Sequence, residues 1–115
     1  MTHRIYSMKV SKVYPLYVAK LARKNRTVEE LDEVISWLTG FDPATMHSLI
    51  DADKTFREFF DAADINPKAI EITGVICGVR IEEIEDPLMK KIRYLDKLVD
   101  ELYRGRPMAK VLRAI

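Results

Sequence analysis

The sequence predicts an all-α fold: a compact bundle of six to seven short helices around a long C-terminal core helix at about residues 87–104. Three observations carry this. Nearly every apolar-periodic segment opens on a helix-capping signature, residues 86–105 hold an unbroken helical seam, and no convincing pair of strands can be drawn. The 115 residues form one expected domain, 1–115, long enough for a hydrophobic core without metal or disulfide staples.

The core helix is the clearest element. Asp86 can accept a bond from a free first-turn N–H, and Pro87 stands where its missing N–H costs nothing. Leu88, Ile92, Leu95, Val99 and Leu102 then lie on one helical face, widened by Met89, Leu98 and Tyr103, with Lys90, Lys97 and Arg104 outside it. Gly105 permits a left-handed cap and Pro107 prevents continuation.

In chain order, residues 5–10 alternate weakly, as an extended lead-in or short strand. A helix capped by Ser11 follows, with Pro15 in its first turn, Val13, Tyr14, Tyr17 and Leu21 inward, and Asn25 as its stop. Thr27-Val-Glu-Glu30 is a capping box before Leu31, Val34, Ile35 and Leu38, with Trp37 at the core edge and Gly40 as terminator. Asp42-Pro43 starts a short helix carrying Met46, Leu49 and Ile50. A second capping box, Thr55-Phe-Arg-Glu58, opens a helix burying Phe56, Phe59, Phe60 and Ala63. Asn66-Pro67 predicts a helix to about Cys77, stopped by Gly78, although Ile70, Ile72, Val75 and Ile76 include β-branched residues and Gly74 weakens a helix. Residues 79–85 read as a connection with Ile81 and Ile84 inward. Pro107 begins a terminal helix with Met108, Val111, Leu112 and Ile115 apolar. Trp37-Leu-Thr-Gly-Phe41 and Val75-Ile-Cys-Gly-Val79 form a faint echo, read as two ordinary glycine caps rather than a repeated hairpin.

Net charge is +1, but it is arranged in blocks. Residues 1–26 hold seven bases and no acids, residues 27–86 sum to −11, and residues 87–115 to +5. Either the basic ends lie beside the acidic middle and screen it, or they share a face that meets a polyanion. In the second case the candidate nucleic-acid contacts are Arg4, Lys9, Lys12, Lys20, Arg23, Lys24 and Arg26. The helical pair at residues 28–50 is a poor DNA reader, because residues 42–53 bring Asp42, Asp51 and Asp53 and no base.

Catalytic constellations are missing from the sequence. His3 and His47 have no metal-ligand spacing, and the glycines fit no nucleotide fingerprint. The acidic run Glu82, Glu83, Glu85 and Asp86 lacks the alternation of a hard-cation loop and reads as a solvated face plus one cap. Cys77 forms no internal disulfide. It could serve as a nucleophile if His47 approached it, and otherwise reads as a small buried apolar residue. No catalytic residue, metal ligand or cofactor is assigned. With no signal peptide or long apolar run, the expected location is the cytoplasm, away from membranes.

Ile72-Thr-Gly-Val-Ile-Cys-Gly-Val-Arg80, Ile84-Glu-Asp-Pro-Leu88 and Lys91-Ile-Arg-Tyr-Leu-Asp-Lys-Leu-Val-Asp-Glu-Leu102 together resemble a small bacterial family known only as a domain of unknown function (number 2200). Val13-Tyr-Pro-Leu-Tyr17, Arg26-Thr27 and Trp37-Leu-Thr-Gly40 fit it as well. The resemblance spans nearly the whole chain and implies one intact bacterial cytoplasmic domain, but no activity or ligand. The leading expectation is therefore a non-enzymatic interaction or regulatory module that forms a homo-oligomer through an apolar helix face. The alternative is a nucleic-acid-associated protein using the basic N-terminal segment, and the third an enzyme using Cys77 or the acidic residues.

Overall fold

The computed structural model describes residues 4–114. His3 and Ile115, both considered above, lie outside the described residues. Six α-helices and one two-stranded ribbon make up the described chain, joined by three short 3-10 segments. The helices are α1 (Val10–Ala22), α2 (Val28–Thr39), α3 (Pro43–Asp51), α4 (Phe56–Ala62), α5 (Pro87–Tyr103) and α6 (Met108–Val111). The ribbon pairs β1 (Val75–Ile76) with β2 (Val79–Arg80) in antiparallel register. The fold is mostly helical, as the sequence predicts.

α5 is the hub, packed against α1, α2, α4, α6 and β1. All five seam residues are buried, and Tyr94, Leu98 and Glu101 join them. Asp86 caps the helix by accepting from the Leu88 and Met89 N–H groups. Both capping boxes form in full: Thr27 with Glu30, and Thr55 with Glu58. Backbone N–H bonds from Thr27 and Thr55 are the main cause holding the Glu30 and Glu58 carboxyls below the usual range. Gly40 ends α2 in a left-handed conformation. A side chain there would be strained twice over, because an added Cβ would also lie 2.9 Å from the Asp64 carbonyl oxygen.

Four local expectations are corrected. α1 starts at Val10 without a side-chain cap, and Pro15 falls inside it rather than in its first turn. The reason is tertiary: Val10 N–H donates to the Lys54 carbonyl and Phe56 N–H to the Met8 carbonyl, so the start of α4 satisfies the start of α1. The Ser11 hydroxyl donates to Asp53 instead of capping. Pro15 is exposed, where water can reach the Ser11 carbonyl left without a helical donor. Second, residues 5–7 belong to a 3-10 turn (Arg4–Ser7) that buries Tyr6, and the extended pairing nearby is the isolated Lys9–Thr55 bridge.

Third, the helix expected from Pro67 to Cys77 is a 3-10 turn, Pro67–Glu71, followed by the ribbon. β-branched Val75, Ile76 and Val79 suit a strand, and Cys77-Gly78 turns the chain with both residues at positive φ, 53° and 77°. Ile70 is consequently 76 % exposed, not a core residue. Fourth, Cys77 sits exposed at the ribbon's tip rather than buried. The Trp37–Gly40 and Val75–Gly78 echo thus joins a helix cap to a hairpin turn, which is no structural repeat. Ile81 is fully buried and Ile84 partly so. Glu82 has a specific partner: its carboxylate accepts from the Gly74 N–H at 2.7 Å, which pulls its pKa down and pins the ribbon's base.

Candidate functional site

Three tyrosines of the N-terminal segment each donate to a carboxylate on a distant element. Tyr6 reaches Asp86 at 2.5 Å, Tyr14 reaches Asp32 at 2.5 Å and Tyr17 reaches Asp96 at 2.7 Å. Arg93 supports Asp96 from the other side at 2.9 Å. His47 Nε2 meets the second oxygen of Asp32 at 2.8 Å, with its ring edge-on to Tyr14. These bonds fasten the Arg4–Ser7 turn to the start of α5, α1 to α2 and α5, and α3 to α2. They also commit Tyr14 and Tyr17 to the core edge and His47 to Asp32 rather than to Cys77.

Burial first, and the adjoining carboxylate second, raise the Tyr6 phenol to about 12. The same causes raise Tyr14 and Tyr17, and burial alone raises Tyr94. A phenol whose folded pKa exceeds its unfolded value near 10 contributes stability that is complete below pH ~10 and lost as pH rises through the folded value. An alkaline titration of tyrosinate absorbance is therefore expected to show these four rings ionising above the ordinary tyrosine range. Tyr6→Phe should flatten the stability profile between pH ~10 and ~12; a profile identical to wild type would show that Tyr6 is not held as described.

The charge blocks meet at the other end of α5. A cleft of about 520 Å³ is lined by Glu71, Thr73, Lys97, Asp100, Glu101, Arg104, Arg106, Lys110 and Arg113. Next to it, a second cleft of about 530 Å³ is lined by Lys20, Lys24, Asp100, Tyr103, Arg104 and Gly105. Asp100 and Arg104 belong to both, so the two form one groove.

Its floor is the pair Glu101–Arg113, joined through the two terminal guanidinium nitrogens at 2.6 and 2.9 Å. Asp100 is taken by Arg104 at 2.8 Å, and Lys97 donates to the Val75 carbonyl. Lys20 and Lys24 place their ammonium groups 4.9 and 5.2 Å from the Tyr103 ring centre. Among the described residues no carboxylate pairs with Lys20, Lys24, Arg106 or Lys110. Four cations thus line one groove without an ion pair of their own, and the groove's bases outnumber its acids Glu71, Asp100 and Glu101, so that their fields add.

The N-terminal candidates divide accordingly. Lys20 and Lys24 enter the groove. Lys12 is exposed about two turns earlier on α1, Lys9 lies 3.9 Å from Asp53, and Arg4 and Arg23 are exposed on the surface outside the groove's lining. Arg26 is occupied structurally: it bonds Glu30 at 2.6 Å, the Leu102 carbonyl at 3.0 Å and the Arg106 carbonyl, closing the C-terminal end of α5. Sequence reasoning missed Lys97, Arg106 and Lys110 as site residues, although the +5 block at residues 87–115 contained them.

Fold and groove together define a small, mostly helical protein with a cationic cleft at one end of its central helix. The chain belongs to the DUF2200 family, described as uncharacterised proteins conserved in bacteria, whose family model matches residues 4–113. It is similar to the crystal structure of uncharacterised protein SP1917: identity is 46 %, the TM-score is 0.91, and the match covers 99 % of this chain and 94 % of that one. Among curated proteins none matches. No described helix is long and apolar enough to cross a membrane.

Proposed function

We propose that the protein is a non-enzymatic cytoplasmic interaction module that binds a polyanion, with the phosphate backbone of a nucleic acid as the class of partner, in the groove at the end of α5. The carrying observation is the convergence of Lys20 and Lys24 from one charge block with Arg106 and Lys110 from another, all without carboxylate partners. Tyr103 offers little stacking surface, since two ammonium groups already lie over it. Contact is therefore with phosphates rather than bases, and binding is sequence-tolerant.

Fluorescence anisotropy with labelled single-stranded and duplex oligonucleotides tests this. Affinity is expected to fall steeply as salt rises, and Lys20→Ala with Lys24→Ala should reduce the slope of log K against log salt by about 2. No binding at low salt, or a double variant indistinguishable from wild type, would refute the groove. Self-association is a second reading, favoured by exposed Leu16 on α1 and by Ile70, Val75 and Val79 in the ribbon segment. Light scattering on the same samples decides it: a single monomeric mass at micromolar concentration rules it out.

A further inference from the structure

Helices α1 and α5 end in the same way. At α1 the Arg26 N–H donates to the Leu21 carbonyl with Asn25 at a φ of 59°, and at α5 the Arg106 N–H donates to the Glu101 carbonyl with Gly105 at 87°. Each is a left-handed helix stop. The two stops carry bases of the groove: Lys20 and Lys24 on the way into one, Arg104 and Arg106 on either side of the other.

One side chain spans both stops. Arg26 Nε donates to the Leu102 carbonyl at 3.0 Å and Nη2 to the Arg106 carbonyl, while Glu30 holds Nη1 at 2.6 Å. Each of its three nitrogens thus has an acceptor within the protein, and Arg26 lines neither cleft. Arg104 is held from within α5 by Asp100 at 2.8 Å. Arg106 has no such tie on its side chain among the described residues; its carbonyl is what Arg26 takes.

We infer that Arg26 is a positioning residue of the cationic groove: by holding the Arg106 carbonyl it fixes where Arg106 stands relative to Lys20 and Lys24, and it does not itself touch the bound polyanion. The inference rests on the polyanion reading of the groove. Bases held at a set separation meet successive phosphates without being ordered at the moment of binding, which preserves affinity. A planar guanidinium can serve three acceptors at once, which a lysine ammonium on its single point cannot match. Glu30 completes the device by orienting the fork.

Anisotropy with a labelled oligothymidylate at one fixed salt tests this on wild type, Arg26→Lys, Arg106→Gln and the double variant. Arg26→Lys keeps the charge but not the fork, and is expected to weaken binding about threefold or more. In the Arg106→Gln background the same change should alter affinity by less than about twofold, because the base it positions is already gone. Glu30→Gln gives an independent reading even where Arg26→Lys fails to fold, since glutamine still completes the capping box. It removes a negative charge from the groove's neighbourhood, so the field alone predicts tighter binding, whereas a loosened Arg26 predicts weaker binding. Weaker binding is the expected result. Unchanged affinity in Arg26→Lys, an equal loss in both backgrounds, or a Glu30→Gln protein that binds as well as wild type or better overturns the role of Arg26 and leaves the polyanion reading standing. No binding by wild type at low salt overturns that reading and this role together.

Discussion

Glu101→Ala is expected to lower the unfolding free energy by about 3–5 kcal/mol, read as a leftward shift of the denaturant midpoint with an unchanged slope. Glu101 and Arg113 side chains are only 6 % and 13 % exposed, and the guanidinium is held bidentately while also donating to the Val111 carbonyl. Removing the carboxylate strands a desolvated cation against the end of α5. The pair itself contributes far less than this loss, because desolvating both ions offsets most of their attraction. Glu101→Leu combined with Arg113→Met should therefore recover most of the stability lost by the single change. A Glu101→Ala protein as stable as wild type would mean that α6 detaches freely and leaves Arg113 hydrated.

Leu95→Ala is expected to cost about 2–5 kcal/mol, a range set by how far the surroundings collapse into the cavity. Leu95 is 2 % exposed in the middle of α5, among Ile92, Leu98 and Val99, which are equally enclosed. Neighbours fixed on a rigid helix that packs against α1, α2, α4, α6 and β1 have little freedom to fill a gap. The upper half of the range is therefore the expectation, and thermal or urea unfolding measures it. A shift below about 1 kcal/mol would remove Leu95 from the core.

What the sequence revealed depended on the range of the interaction responsible. Thr27, Asp42, Thr55 and Asp86 each bond within three residues, so their caps and the helices they open were legible from spacing. The seam of α5 was legible because burial repeats with the helical period. Residues 67–80 were misread because an Asn-Pro start fits a 3-10 turn as well as an α-helix. The hairpin turn is Cys77-Gly78 rather than the usual Asn-Gly or Asp-Gly, so its signal was faint. The start of α1 was misplaced because its donor is satisfied by Lys54, which no local pattern announces.

The groove was half legible. Charge blocks at the two ends of the chain were evident from composition, and Lys20 and Lys24 were among the named residues. Their convergence with Arg106 and Lys110 depends on the packing of α1 against α5, a long-range fact.

The bonds from Tyr6 to Asp86, Tyr17 to Asp96 and Arg26 to the Leu102 carbonyl each join residues 76 to 80 positions apart. During synthesis, Tyr6, Tyr17 and Arg26 therefore wait for their partners until residues 86–102 have been made. Helices α1 to α4 emerge from the ribosome before the element around which they pack, leaving apolar faces uncovered for most of translation. Folding of residues 4–114 is consequently delayed until α5 has emerged, and a chain stalled ahead of α5 would be a target for chaperones and proteases rather than a partly working protein.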